Sequence, residues 1–223
     1  MKLQEALQVS RGVVSVVGSG GKSTLLRELA LELAASGKSA ALATTTRVLP
    51  FEGIRTLAAE DIGEVARAVA EERVVCVASP AEKGKLAEPA VDVGRIAGVV
   101  DHVLIEADGS KRLPLKAHAA WEPVVPPESA RTILVVGASG FWRPVREAAH
   151  RPEIFCRLAG CAPDDAATPE LVARVIAAEG LAGQVVLNQT ETPAALGAAR
   201  ELAALLDVPV FAGSLRRHEL EAL

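Results

Sequence analysis

Three glycines, a lysine and three hydroxyl side chains stand together in Gly18-Ser-Gly-Gly-Lys-Ser-Thr24. Glycines let a backbone turn its N–H groups inward around an anion. A helix starting at the lysine adds its partial positive charge at the same place. The chemistry this suits is the holding of a triphosphate. Gly18, Ser19, Gly20 and Gly21 wrap the phosphates, Lys22 reaches the β- and γ-phosphates, Ser23 ligates Mg²⁺, and Thr24 completes the stretch. A second group is Glu106 with Asp108, at the end of the apolar run Val103–Glu106. An acid there holds a metal through water or orients an attacking water; for Asp108, capping of the following turn is the competing local role. A third is Thr44-Thr45-Thr46-Arg47. Thr46 is placed to ligate Mg²⁺ or touch the γ-phosphate, and Arg47 to neutralise charge that develops in a transition state. The plainer account of the threonines is a strand ending in β-branched residues.

The spacing departs from the standard pattern G-x-x-x-x-G-K-[ST], which puts glycine where this chain has Val16. The shorter form G-x-x-G-K-S-T is similar to the loop of Mur-type ligases. A dinucleotide fingerprint also begins with Gly18-x-Gly20, but Ser23 takes the place of its third glycine, and the next strand ends in threonines rather than an acid. Late in the chain, Val185-Val-Leu-Asn-Gln-Thr-Glu191 is similar to the N-K-x-D element of GTPases, with Gln189 for the lysine and Glu191 for the aspartate. Asn188, Gln189 and Glu191, with Ala212-Gly213-Ser214 beyond them, suggest a nucleobase pocket without naming the base. Cys156 and Cys161 lie near His150, but buried cysteine is the commoner outcome for that pattern. The four histidines form no H-E-x-x-H motif.

These residues need a scaffold, and the hydropathy pattern supplies one. Val13–Val17, Ala40–Thr44, Val74–Ala78, Val103–Glu106, Thr132–Gly137, Val185–Asn188 and Val208–Ala212 are short apolar runs without alternation. Helical segments separate them: Ser23–Ser36, Glu60–Glu72, Pro152–Ala159, Thr168–Glu179 and Pro193–Leu206. Strands of this kind are covered on both faces by helices. The expectation is an α/β fold, a doubly wound, mostly parallel sheet of about seven strands, in one domain over residues 1–223. Residues 109–127 carry four prolines and are too long for an ordinary connector, so they are expected to form an inserted functional loop.

Composition narrows the partners. A net charge of −4 without a strong basic block argues against duplex nucleic acid, and an aromatic content of 3% with no tyrosine argues against base-stacking platforms for single strands. No apolar run is long enough to span a bilayer, and MKLQEALQVSRG lacks a signal-peptide core. Three cysteines make no disulfide framework. The expectation is a reduced, cytoplasmic protein with no membrane or nucleic-acid partner.

The chain resembles the YqeC family of selenium-dependent hydroxylase accessory proteins, which are P-loop NTPase-like. The resemblance lies in VVGSGGKST (16–24), ATTTR (43–47), IEADGSKRLPLKAHAAWEPVVP (105–126), HRPEIF (150–155), TPELVARVI (168–176) and LNQTE (187–191). It implies a nucleotide-dependent maturation factor for a molybdenum hydroxylase or its cofactor. It also places Lys116, Glu122, His150 and Arg151 in family motifs, and with Asp108 these are the expected contacts to a second substrate. Lys111, Arg112 and Lys116 make the stretch after Glu106 locally basic, which suits an anionic substrate such as a molybdopterin nucleotide or a selenium oxyanion; a solvated basic loop is the plainer account. The leading expectation is therefore a Mg²⁺-dependent protein that binds ATP or GTP and hydrolyses it, with Lys22, Glu106 and Arg47 catalytic and Ser23, Thr46 and Glu106 on the metal. The alternatives are a small-molecule kinase or ligase, suggested by the short loop, and a nucleotide-gated docking switch without turnover.

Overall fold

The structure is a computed structural model that describes residues 1–223. After a short helix α1 (Leu3–Ala6), the chain runs β1 (Gly12–Gly18), α2 (Lys22–Ala35), β2 (Ala40–Thr44), β3 (Thr56–Leu57), α3 (Ile62–Glu72) and β4 (Val74–Val77). A two-strand ribbon, β5 (Ser79–Pro80) and β6 (Leu86–Ala87), leads to α4 (Val93–Ala97) and β7 (His102–Glu106). Next come β8 (Leu115–Lys116), β9 (Ser129–Gly137), α5 (Val145–Ala148), β10 (Ala149–His150), α6 (Pro152–Ala159) and α7 (Pro169–Glu179). The chain closes with β11 (Gln184–Asn188), α8 (Pro193–Ala203), β12 (Val210–Ser214) and β13 (Glu219–Ala222).

Nine strands form one sheet in the order β13-β12-β11-β9-β1-β7-β2-β4-β3. Every neighbouring pair is parallel except β12–β13. Seven strands coincide with the apolar runs expected from the sequence, and the count rises to nine through the two edges. Thr56–Leu57 is too short to leave a pattern. Glu219–Ala222 alternates acid with apolar, as an antiparallel edge strand with one covered face should.

Both sheet faces are buried, which is why the strands read as unbroken apolar runs. Val13, Ala41, Val103, Ile105, Leu134 and Val185 point into a cluster of 41 buried residues that includes positions from α3 to α8. Their immediate neighbours Val14, Leu42, Leu104, Ile133 and Val186 point into a second cluster of 26, with Leu25, Leu26, Leu29 and Leu33 of α2. The α7 helix begins as the sequence predicts, with Thr168 Oγ1 accepting from the Leu171 amide and Pro169 in the first turn. The α3 helix starts two residues later than its pattern, because Asp61 caps it by accepting from the Gly63 and Glu64 amides.

The order places β1 at a switch point. The chain leaves β1 for β2 on one side, with β7 later filling the gap, and β9 opens the other side. The carboxyl ends of β1, β7, β2, β9 and β11 therefore surround the loop that follows β1, the position where ligands bind in open α/β sheets.

Candidate functional site

The loop after β1 turns on three glycines with positive φ: Gly18 at 92°, Gly20 at 83° and Gly21 at 142°. At Gly20 a Cβ atom would lie 2.4 Å from the Gly137 backbone, so the loop packs against β9 only because this residue has no side chain. The loop delivers Lys22 and Ser23 into the first turn of α2. Parallel register sets Glu106 of β7 level with Val16 and with Thr44. Ser23 Oγ accordingly donates to Glu106 Oε2 at 2.7 Å. Lys22 folds back over its own loop, donating to the Gly18 carbonyl at 2.7 Å and lying 3.1 Å from Asp108 and 3.6 Å from Glu106.

Asp108 is the centre of this arrangement. It lies two residues beyond Glu106, level with the loop, and its side chain is wholly buried. Its Oδ2 accepts from the Gly18 amide at 2.9 Å, pairs with Lys116 at 3.0 Å and bonds His118 Nε2 at 2.7 Å. His118 Nδ1 meets Glu179 at 2.7 Å, and the His118 amide donates to the same carboxylate at 2.6 Å. Lys116 also pairs with Glu122 at 3.1 Å and donates to the Gly109 carbonyl at 2.6 Å. Glu122 accepts from Arg151 Nε at 2.7 Å. Four basic side chains, Lys22, Lys116, His118 and Arg151, thus alternate with Glu106, Asp108, Glu122 and Glu179.

The electrostatics follow from burial and these contacts. Burial pushes the Glu106 carboxyl up, and Lys22 and the Ser23 hydroxyl only partly offset it, leaving its pKa raised. Burial also pushes Asp108 up. There the His118 bond and the Lys22 and Lys116 charges win, and Asp108 stays well below the usual carboxylate range. For His118 burial acts downward, but the bonds to Asp108 and Glu179 outweigh it and its pKa is raised above the ordinary 6.5. The stabilisation from protonated His118 is therefore complete below about pH 6.5 and is lost as pH rises through the raised value. The Asp108 contribution is present above its ordinary range and is lost only in acid. His118→Gln should consequently cost more stability at pH 6 than at pH 9 in denaturant unfolding; a deficit equal at both would contradict a charged His118.

Residues 109–127 fold across the carboxyl end of the sheet. The Gly137 amide donates to the Pro114 carbonyl at 2.9 Å, Ser19 Oγ donates to the Leu113 carbonyl, and β8 pairs with β10. Between this segment, the loop and the β2 end opens a cleft of about 1200 Å³. The expected residues Gly20–Thr24, Thr46, Arg47, Glu106, Asp108, Glu122, His150 and Arg151 all border it, as do Asn188, Gln189 and Glu191. Lys116 does not: its side chain is 1% exposed and its ammonium is held by protein oxygens. Gly18 and Ser19 lie beneath the loop, with Gly18 tied to Asp108 and the Ser19 amide tied to β9. Thr44 Oγ1 bonds the Glu106 carbonyl at 2.9 Å, fixing β2 to β7 just before Thr46 and Arg47. Asn188 Nδ2 donates to the Gly20 carbonyl at 2.8 Å and its Oδ1 accepts from the Leu215 amide, so it braces the loop. Gln189 has φ 68° and accepts from Ser139 Oγ. Glu191, held below the usual range first by the Ser214 hydroxyl, stands at that end of the cleft.

Sequence reading did not find His118 or Glu179. Glu179 ends α7, 61 residues from its histidine, and nothing local marks it.

The family model described as YqeC protein matches residues 14–153. The uncharacterized protein YqeC of Escherichia coli (strain K12) is 35% identical over 159 residues, covering 68% of this chain and 62% of that protein, so the match leaves more than a third of the relative's length outside it. Among solved structures, the signal recognition particle 54 kDa protein of Aeropyrum pernix K1, in complex with GDP, aligns with a TM-score of 0.45 at 15% identity, over 100% of this chain and 46% of that one. FtsY of Mycoplasma mycoides aligns with a TM-score of 0.45 at 13% identity, over 95% and 62%.

Proposed function

The chain belongs to the YqeC family, and from that premise we propose that it binds a nucleoside triphosphate, ATP or GTP, with Mg²⁺ at the Gly18–Thr24 loop and hydrolyses it. The observation that carries this reading is the meeting of Lys22, Ser23 and Glu106 at the switch point, with Ser23 Oγ 2.7 Å from the Glu106 carboxylate. A hydroxyl and one carboxylate are oxygen donors that suit Mg²⁺, which keeps its other positions for phosphate and water. The protein presents no cluster of three or more acidic, histidine or cysteine ligands that would hold a metal unaided. When bound, Mg²⁺ supplies charge neutralisation at the phosphates.

The chain's own groups do the rest. The glycine amides and the α2 terminus hold phosphate oxygens, and Lys22 moves from the Gly18 carbonyl onto them. Glu106, no longer facing Lys22, would hold Mg²⁺ together with Ser23 and would orient the attacking water. Arg47 and Thr46 face the γ-phosphate from the β2 end. Asn188, Gln189 and Glu191 border the nucleobase end. The turnover serves maturation of a selenium-dependent molybdenum hydroxylase in a reduced cytoplasm, the role that the family resemblance implies. A second reading, phosphoryl transfer to a small acceptor, is favoured by the size of the cleft.

Phosphate release with and without Mg²⁺ tests the proposal. Release should require Mg²⁺ and fall on the order of 100-fold in Glu106→Gln. Release indifferent to both changes would overturn it.

A further inference from the structure

We propose that the cleft contains a second ligand site beside the phosphate loop, and that this site takes a small phosphorylated molecule with a flat, unsaturated ring. The inference rests on the loop being the nucleotide site. One small-ligand site occupies about 300–1,000 Å³, and the cleft is about 1200 Å³. A nucleotide on the loop leaves room beyond it.

The lining beyond the loop residues has its own chemistry. Lys85, Lys111 and Arg112 border the cleft, all exposed, and none takes part in an ion pair. Of the acids that border the cleft, Glu106 is engaged with Lys22, Asp108 with Lys22 and Lys116, and Glu122 with Lys116 and Arg151, while Glu191 stands at the nucleobase end. In a chain of net charge −4 these three cations are without an ion-pair partner of their own. Lys111 and Arg112 have φ of 50° and 62°, two consecutive non-glycine residues in the left-handed region at the mouth of the cleft.

The same cleft is lined by Trp121, with 72% of its surface exposed. The Arg151 guanidinium lies 5.2 Å from the ring centroid and is itself fixed by Glu122, which Lys116 holds. The indole is therefore braced from one side and open elsewhere. Leu49 and Val124, 46% and 50% exposed, line the same cleft. A held, open indole and unpaired cations on one cleft fit a flat ring stacked on Trp121 with its phosphate among Lys111, Arg112 and Lys85.

Flavin mononucleotide is a suitable probe, with riboflavin and inorganic phosphate as its two halves. The full chain is first saturated with Mg²⁺ and a non-hydrolysable ATP or GTP analogue, and flavin fluorescence is followed. Saturable quenching should appear with the phosphorylated flavin and be at least tenfold weaker with riboflavin. Inorganic phosphate should displace the probe only weakly. Trp121→Ala, and Lys111→Gln with Arg112→Gln, should each weaken the probe about tenfold, the order that ring stacking carries, without changing nucleotide affinity. No saturable quenching, displacement of the probe by the nucleotide analogue, or unchanged binding in both variants would overturn the proposal. If the analogue gives no thermal shift in the same samples while flavin binding persists and needs Trp121, the loop reading fails and the second site stands.

Discussion

Asp108→Asn should lower the melting temperature by on the order of 10 °C. The amide keeps an acceptor for the Gly18 N–H but removes the only charge shared by Lys22, Lys116 and His118, which lie 3.1, 3.0 and 2.7 Å away. The two lysine side chains are 3% and 1% exposed, so water cannot replace the lost partner. Removing one member of a buried ionic group costs roughly 3–5 kcal/mol, and about 2–4 °C follows from each in a domain this size. The loop should lose its register as well, because the Gly18 amide and Lys22 are both set by the same carboxylate. Thermal unfolding without ligand reads the effect. A variant that melts with the wild type would show that Asp108 is not the keystone described above.

Lys22→Ala should leave the fold standing and weaken nucleotide binding on the order of 100-fold. Asp108 would keep Lys116 and His118, and Glu106 would keep the Ser23 hydroxyl, so the chain still folds, with a lower melting temperature because Glu106 loses its ion-pair partner. The nucleotide loses its one buried ammonium, and truncating one side of a buried charge pair costs about 2–5 kcal/mol, which brackets that factor. Titration calorimetry with Mg²⁺ and either nucleotide measures it, with a melting curve as the control for folding. Affinity within threefold of wild type would mean that the phosphates do not meet Lys22.

The sheet was legible because parallel strands buried on both faces need no polar alternation, and β1 to β12 carry that signature wherever they are long. The edges were not, since a two-residue strand and a charged antiparallel one carry little hydrophobic signal. The loop and Glu106 were legible because both lie at strand ends and their spacing is local. The ionic cluster was legible only in pieces. Lys111, Arg112 and Lys116 read as a basic, substrate-facing stretch, whereas the folded chain joins Lys116 to Asp108 and Glu122. The His118–Glu179 contact depends on where α7 ends against the 109–127 segment, which is a property of packing rather than of any local pattern. Asn188 drew notice as a base contact, while its visible bonds brace Gly20 and Leu215.

The most direct test of the central claim is the melting temperature of the wild-type chain with Mg²⁺ and ATP, GTP or CTP in turn. Ligand at 100 times Kd adds about 2.7 kcal/mol, worth roughly 5–10 °C here. A rise of that order with ATP or GTP, and only with Mg²⁺ present, is the predicted result. No rise with any nucleotide at millimolar concentration would contradict a triphosphate site at Gly18–Thr24.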